Sequence, residues 1–328
     1  MWRIDSISAD SGITYTQIFP KHEWYSNLDH SVATALITWH FTKNRSLTLS
    51  ALFHDIGNPV FKHCIDFMKQ GNEQEIENRI QNIITSSEEI QKLLKRDQIK
   101  SEWISFPKEY PLIKAENPKL SIERLENIFH QCYFFYNILT IEEIEKYYNQ
   151  LEVQINERNK EELGFKNIET AELFLQQTEK LWKIWISDTV RCHMQFIADI
   201  CHSMIYLKFI TKEDLYQLSE TEIIEKIKNC AQEDIKNAWK NYTKINKWNK
   251  YEYFKPNKYS CYTSIQRKYV NPLVKQEENH YRRIYNISRK AFQLIDNYLK
   301  LPTAGYNYLD FNFVPYKEKT GFILKNKT

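Results

Sequence analysis

The sequence predicts a mainly α fold with a small β-hairpin near the C-terminal end. Three observations carry that expectation. Only six glycines and nine prolines are scattered over 328 residues, and abundant Leu, Ile, Glu, Lys, Gln and Asn favour helices over a sandwich or barrel. Capping-box spacings recur at Thr85-x-x-Glu88, Thr140-x-x-Glu143 and Ser219-x-x-Glu222. Strict alternation appears only late, in Tyr308-Leu309-Asp310-Phe311-Asn312-Phe313, followed by Gly321 to Leu324.

In chain order, residues 27–43 set Leu28, Val32, Ala35, Leu36 and Trp39 close to one helical face. A second, strongly apolar helix runs from Ser46 to Asp55, ended by Gly57 with Pro59 just beyond it. Helices are expected next at about 74–96, 119–139 and 141–159. The first of these contains the Thr85 pattern, and the Thr140 pattern starts the last. Pro107, Pro111 and Pro118 mark a loop at 101–118. Residues 169–208 read as one long helix or two abutting ones. Ser219 starts another, 241–262 is a Lys/Asn/Tyr-rich connection, and 276–299 is the last long helix before the hairpin. No internal repeat or low-complexity tract interrupts the series.

Composition excludes several classes. Glycines at 12, 57, 71, 164, 305 and 321 are too dispersed to write a dinucleotide fingerprint or a P-loop. A formal net charge of +3 neither requires nor excludes an anionic partner. The six cysteines (64, 132, 192, 201, 230, 261) form no CxxC pair and no regular framework. The first residues, MWRIDSISADSG, lack a basic region followed by an apolar run. Apolar stretches such as Cys132 to Ile141, broken by Asn137, fall short of a bilayer span. The expectation is a soluble cytoplasmic protein with no membrane partner.

Chemistry concentrates at His54-Asp55, which end the apolar run Leu49-Ser-Ala-Leu-Phe. An ionised Asp among such neighbours is costly unless it is paired or binds metal. His30 lies on the preceding helix, and an antiparallel pair of these lengths brings it beside His54. Asp199 is a second acid inside an apolar helix, in Gln195-Phe-Ile-Ala-Asp-Ile-Cys-His. Two imidazoles and two carboxylates on three helices make a mixed N/O site for a divalent ion. It suits Mn, Fe, Co, Ni or Zn, with Mg at a carboxylate-rich second position. Helices are stiff supports for such a group.

Asp29-His30-Ser31, then Ala51-Leu-Phe-His-Asp-Ile-Gly-Asn-Pro-Val-Phe-Lys-His63, then Ala198-Asp199, resembles the HD-domain metal-dependent phosphohydrolases. Within them the sequence is most similar to the dGTPase-like deoxynucleoside triphosphate triphosphohydrolases, whose run HDxGHxPFGH is here HDIGNPVFKH. The segment from Ala198 to Met204, leading to Phe209-Ile-Thr-Lys-Glu-Asp-Leu, is also similar to that branch. Arg267-Lys-Tyr-Val-Asn-Pro is weakly so. The resemblance implies an HD-domain helical fold, with a segment at 1–24 and a phosphohydrolase core at 25–218 holding an insert at about 71–165. A C-terminal helical region at 219–328 would end in the hairpin. It implies that His30, His54, Asp55 and Asp199 bind metal and that His63 and Asp66 form a catalytic pair. Asp188 is a weaker alternative to Asp199, and His202 reads as core or as a neighbour of the site. Asn58 stands where the family usually has a second active-site His, and Asn27 where animal members carry an Arg that reaches a phosphate. Both are therefore candidate substrate contacts.

Between Lys244 and Lys290, twelve Lys/Arg face three Glu and are interleaved with Tyr and Trp. Such a stretch suits a polyphosphate or single-stranded nucleic acid, or is a solvated basic face. Arg282 and Arg283 are its candidate phosphate contacts. The leading expectation is metal-assisted hydrolysis of a nucleotide, from a deoxynucleoside triphosphate to deoxynucleoside and tripolyphosphate. Two alternatives stand beside it: an HD phosphohydrolase for nucleoside monophosphates or cyclic phosphodiesters, and a non-catalytic nucleotide- or nucleic-acid-binding module. Homo-oligomers are a further implication of the resemblance.

Overall fold

The computed structural model describes residues 13–18, 25–68, 73–246, 258–278 and 280–316. The chain is mainly α, as expected. Helix α1 (Asn27–Thr42) opens with a complete capping box between Ser26 and Asp29. It closes at Lys43, whose φ of 51° reverses the chain, and the Asn44 side chain then caps α2 (Arg45–Phe53). This two-residue connection makes α1 and α2 a helical hairpin. His30 lies 13 residues before the turn and His54 about as far after it, roughly 15–20 Å along each helix, so the two imidazoles meet.

After the single-turn α3 (His63–Asp66) come α4 (Glu73–Ser86) and α5 (Glu88–Arg96). The helix expected at 74–96 is thus broken. Ser87, not Thr85, is the cap and accepts from the Ile90 N–H, while the Thr85 hydroxyl bonds back to Gln81 inside α4. Helix α6 (Ile122–His130) runs into a π turn at Gln131–Phe135, and α7 (Ile141–Asn149) starts at the expected Thr140 capping box.

Helix α7 stops ten residues short of its expected end. Leu151-Glu-Val-Gln-Ile alternates, and Asn159 takes a φ of 55° in the following turn, so β1 (Leu151–Ile155) and β2 (Glu161–Phe165) form a hairpin. Helices α8 (Ile168–Trp185) and α9 (Asp188–Tyr206) are two abutting helices separated by the Ser187 cap. Short α10 (Asp214–Gln217), α11 (Glu220–Asn229) and α12 (Glu233–Tyr242) follow, and α11 begins at the expected Ser219 capping box.

The C-terminal part departs most from expectation. Strand β3 (Tyr259–Ser264) precedes β4 (Leu273–Glu277) and β5 (His280–Arg283), then a turn of helix α13 (Ile284–Ile287), α14 (Arg289–Leu299) and β6 (Ala304–Leu309). The helix expected at 276–299 therefore begins only at the Ser288 cap. Only Tyr308 and Leu309 of the late alternating segment fall in a strand: they end β6, which pairs antiparallel with the distant β3, Tyr259 opposite Leu309, rather than with a neighbouring arm. The other expected arm, 321–324, lies outside the described residues. Strands β1-β2-β4-β5 form one sheet, with β2 and β4 parallel and the other pairs antiparallel.

Two large apolar clusters hold these elements. One packs α9 against α3, α11, α12 and the β3–β6 ribbon, through Phe196, Met204, Ile223, Tyr242 and Phe311. The other joins α6 and α8 to β2, β4 and α14, through Ile128, Phe165, Phe174, Trp182 and Tyr298. Among the described residues no helix is long and apolar enough to cross a membrane.

Candidate active site

The open end of the α1–α2 hairpin carries the group singled out in the sequence. His54 is the C-cap of α2, and Asp55 sits in the turn behind it. Gly57 completes that turn under α4. A Cβ there would lie 2.6 Å from the Ile76 carbonyl oxygen and 2.8 Å from Ile80 Cγ1, so only glycine lets α4 come this close. His30, His54 and Asp55 are at most 5% exposed. One ligand atom from each lies within 4.8 Å of the others, as a metal group requires.

The hydrogen bonds fix which nitrogens face inward. His54 Nδ1 is 2.6 Å from the Ala51 carbonyl, which only accepts, so Nδ1 carries the proton and Nε2 the lone pair. His30 Nδ1 donates to the Glu126 carboxylate in the same way. The two Nε2 atoms then face each other at 3.1 Å, with Asp55 Oδ1 3.5 Å from His54 Nε2 and Asp55 Oδ2 3.8 Å from His30 Nε2. Facing lone pairs beside a carboxylate need a cation or a shared proton. Two imidazoles and one carboxylate, each with its second polar atom anchored, fit a borderline divalent ion.

Electrostatics agrees. Burial lowers the His54 pKa and keeps the ring neutral. Burial also works against charge on His30, but the Glu126 carboxylate outweighs it and the net shift is upward. Burial works to raise the Asp55 pKa, but the cationic groups beside it, Lys62 and His30, overcome that cost and hold it well below the usual carboxylate range.

A cleft of about 110 Å³ opens above these residues. Asn58 lines it and donates to Asp55 Oδ1 at 2.7 Å, and Lys62 lines it with Nζ 2.7 Å from Asp55 Oδ2. His63 and Asp66 sit at its rim on α3, with His63 Nδ1 donating to Asp66 Oδ2 at 3.0 Å. Their side chains are about half exposed to solvent. The two residues expected from the sequence to form a catalytic pair thus line the same cleft as His30, His54 and Asp55.

Four other expected residues are placed elsewhere. Asp199 does not join the cluster: its carboxylate accepts from Gln195 at 2.9 Å and from the Tyr259 hydroxyl at 3.0 Å, in the interface of α9 with the β3–β6 ribbon. Its apolar surroundings reflect that interface. Asn27 is buried at the start of α1 and does not line the cleft. Arg283 is spent on Glu157 and the buried Glu162 at 2.5–3.2 Å, fastening β5 to the β1–β2 hairpin, and neither it nor Arg282 lines the cleft. Asp188, the weaker alternative, pairs with Arg191, and His202 Nδ1 donates to the Tyr316 carbonyl.

Sequence reasoning missed the support behind His30. Glu126 and His130 lie on α6, and Glu126 Oε2 accepts from His130 Nδ1 at 3.0 Å as well as from His30. Its other oxygen accepts from Tyr25 Oη at 2.5 Å, and the Tyr25 ring stacks on His130. Burial works against the charge of Glu126, but His130 and His30 lower its pKa, so it stays a carboxylate. The signal was present: an acid and a histidine at i, i+4 among Leu125, Ile128 and Phe129. His30, Glu126 and His130 also meet the distance test for a metal group. With its proton on Nδ1, however, His30 is a donor toward Glu126, which makes this cluster a brace for the first.

Fold and site together define a mainly α protein with a buried two-histidine, one-carboxylate group at the open end of a helical hairpin. Solved structures share its fold at 14% sequence identity. One is a phosphohydrolase from Bacteroides thetaiotaomicron, BT4208, at a TM-score of 0.64 over 95% of this chain and 93% of that one. Another is a hypothetical protein from Aquifex aeolicus, at 0.59 over 92% and 90%. No protein-family model and no curated protein matches the sequence.

Proposed function

We propose that this chain is a divalent-metal-dependent hydrolase of phosphate esters acting on a nucleotide. The observation that carries the reading is the convergence of His30 Nε2, His54 Nε2 and Asp55 beneath a cleft that also holds His63 and Asp66. The fold shared with a protein named a phosphohydrolase and the resemblance to the HD-domain enzymes both favour it. His30, His54 and Asp55 would hold the ion. A bound divalent ion supplies positive charge against a phosphoryl oxygen and lowers the pKa of water.

The protein's own groups have distinct tasks. Glu126 keeps the His30 proton on Nδ1 and the ring in place, and the Ala51 carbonyl does the same for His54. His63, held through Nδ1–H by Asp66, would serve as general acid when a second proton sits on Nε2, passing that proton to the leaving-group oxygen and returning to the neutral Nδ1–H ring. Asn58 and Lys62 each hold one oxygen of Asp55.

The finer reading is a deoxynucleoside triphosphate triphosphohydrolase, releasing deoxynucleoside and tripolyphosphate. A second reading, a phosphomonoesterase or cyclic phosphodiesterase for nucleotides, is favoured by the size of the cleft. About 110 Å³ suits one phosphoryl group, and Arg282 and Arg283 do not reach it. Product analysis with the four deoxynucleoside triphosphates, nucleoside monophosphates and cyclic nucleotides, in Mn²⁺, Mg²⁺ or Co²⁺, separates the two. Tripolyphosphate from wild type but not from His54→Ala or Asp55→Ala supports the first, and orthophosphate or a ring-opened monophosphate supports the second. Absence of any metal-dependent product across the panel sinks both.

A further inference from the structure

Lys62 reaches Asp55 from a backbone that few side chains adopt. Phe61 and Lys62 have φ of 59° and 39°, and Lys62 joins its φ to a ψ of −118°. Such strain in non-glycine residues gathers at working sites. The loop is held on both sides: the Val60 N–H donates to the Leu215 carbonyl, and Cys64 and Ile65 are packed in the α9 core. The outcome is a lysine whose side chain is 14% exposed, with its ammonium 2.7 Å from Asp55 Oδ2.

This position is in competition with a metal. A divalent ion shared by His30, His54 and Asp55 needs an oxygen of the Asp55 carboxylate, and Asn58 now holds Oδ1 and Lys62 holds Oδ2. Asn58 is neutral and can rotate, but Lys62 is a second cation at the same carboxylate and is repelled by the ion. Around it the cleft offers the carboxylates of Asp66, Glu77 and Glu123 and one further ammonium, Lys114. The phosphoryl group of an entering substrate is the anion that arrives beside the ion, and an ammonium binds it as a point charge.

We propose that Lys62 is a mobile counter-ion, neutralising Asp55 until a divalent cation binds and then passing to the phosphoryl oxygens of the substrate. The inference rests on the assignment of His30, His54 and Asp55 as metal ligands. It gives Lys62 the phosphate-binding role that the sequence suggested for Arg282 and Arg283.

The test uses the full chain stripped of metal by chelation, as wild type, Lys62→Met, Lys62→Gln and Lys62→Arg. Each is titrated with Mn²⁺ by calorimetry and then, Mn²⁺-loaded, with inorganic phosphate. Removing the competing cation should tighten Mn²⁺ binding about tenfold in the Met and Gln variants, and removing the phosphate contact should weaken phosphate binding about tenfold. Lys62→Arg should keep both near wild type. The rise in Tm on adding Mn²⁺ should also be larger in the neutral variants, a readout that survives a less stable apo protein. A purely structural lysine would not move the two affinities in opposite directions. Mn²⁺ affinity that is unchanged or weaker, or phosphate affinity that is unchanged, overturns the proposal. A His54→Ala control separates the two levels: if it binds Mn²⁺ as well as wild type, or if wild type binds none, the metal assignment falls and takes the Lys62 role with it.

Discussion

Replacing Glu126 by Gln takes one charge from behind His30 while keeping the volume. Glu126 is 3% exposed and serves three donors: His30 Nδ1 and His130 Nδ1 on one oxygen, Tyr25 Oη on the other. Glutamine has a single acceptor oxygen, and its other terminus donates. With the amide nitrogen toward the histidines, the His30 proton must move to Nε2, the atom that would bind metal. With it toward Tyr25, the tyrosine must turn to accept, and a neutral oxygen braces His30 less firmly. One buried polar group left poorly paired costs about 1–3 kcal/mol of stability. Losing the carboxylate behind a ligating histidine costs about 10–100-fold in metal affinity, about 1.4–2.7 kcal/mol. Urea unfolding measures the first and calorimetric Mn²⁺ titration of the folded variant the second. A folded Glu126→Gln protein with wild-type Mn²⁺ affinity would refute the argument that Glu126 sets the His30 tautomer.

Other perturbations have equally definite outcomes. Gly57→Ala forces a methyl against the Ile76 carbonyl and should cost about 1–3 kcal/mol in urea unfolding; no loss would mean that α4 does not sit as described. Burial pushes the His193 pKa down to about 3, far below its unfolded value of about 6.5, so the unfolded chain binds the extra proton. Stability is then complete above pH 6.5 and falls as pH drops below it, by about 2 kcal/mol at pH 5 from this residue. His193→Leu should remove that share when unfolding is compared at pH 7.5 and 5, and equal acid sensitivity would contradict the assignment. Arg283→Ala strands the buried Glu162 carboxylate and should cost about 3 kcal/mol, while Mn²⁺ affinity stays at the wild-type value, because Arg283 fastens β5 to the β1–β2 hairpin.

Local signals with one dominant cause were legible in the sequence. The extents of α1 and α2, the Gly57 turn and the Thr140 and Ser219 capping boxes lie where their residues place them, because each is settled within a few residues. The apolar face read in α1 is instead turned outward, with Val32, Leu36 and Trp39 exposed, because the helix gives its His30, Ser31, Thr34 and Thr38 side to the interior. The meeting of His30 with His54 and Asp55 was legible for the same reason, since two helices joined by a tight turn leave one arrangement. The β1–β2 and β4–β5 hairpins were not, because their short strands contain helix-tolerant Leu, Glu, Gln and Lys and gain strand character only by pairing in a sheet. Asp199 shows the limit most plainly. A carboxylate in an apolar helix needs a partner, but periodicity does not say whether that partner is a metal or, as here, Gln195 and a tyrosine from β3, 60 residues on. Glu126 carried the same signal with the opposite placement, because α6 turns it toward His30.

The most direct test of the account is an anomalous difference map from crystals soaked in Mn²⁺, recorded near the manganese edge. The account predicts a single strong peak between His30 Nε2, His54 Nε2 and the Asp55 carboxylate, with the Lys62 ammonium withdrawn from Asp55 and no such peak in Asp55→Ala crystals. A peak at Asp199 or between Glu126 and His130 with none at His54, or no peak at all, would contradict it.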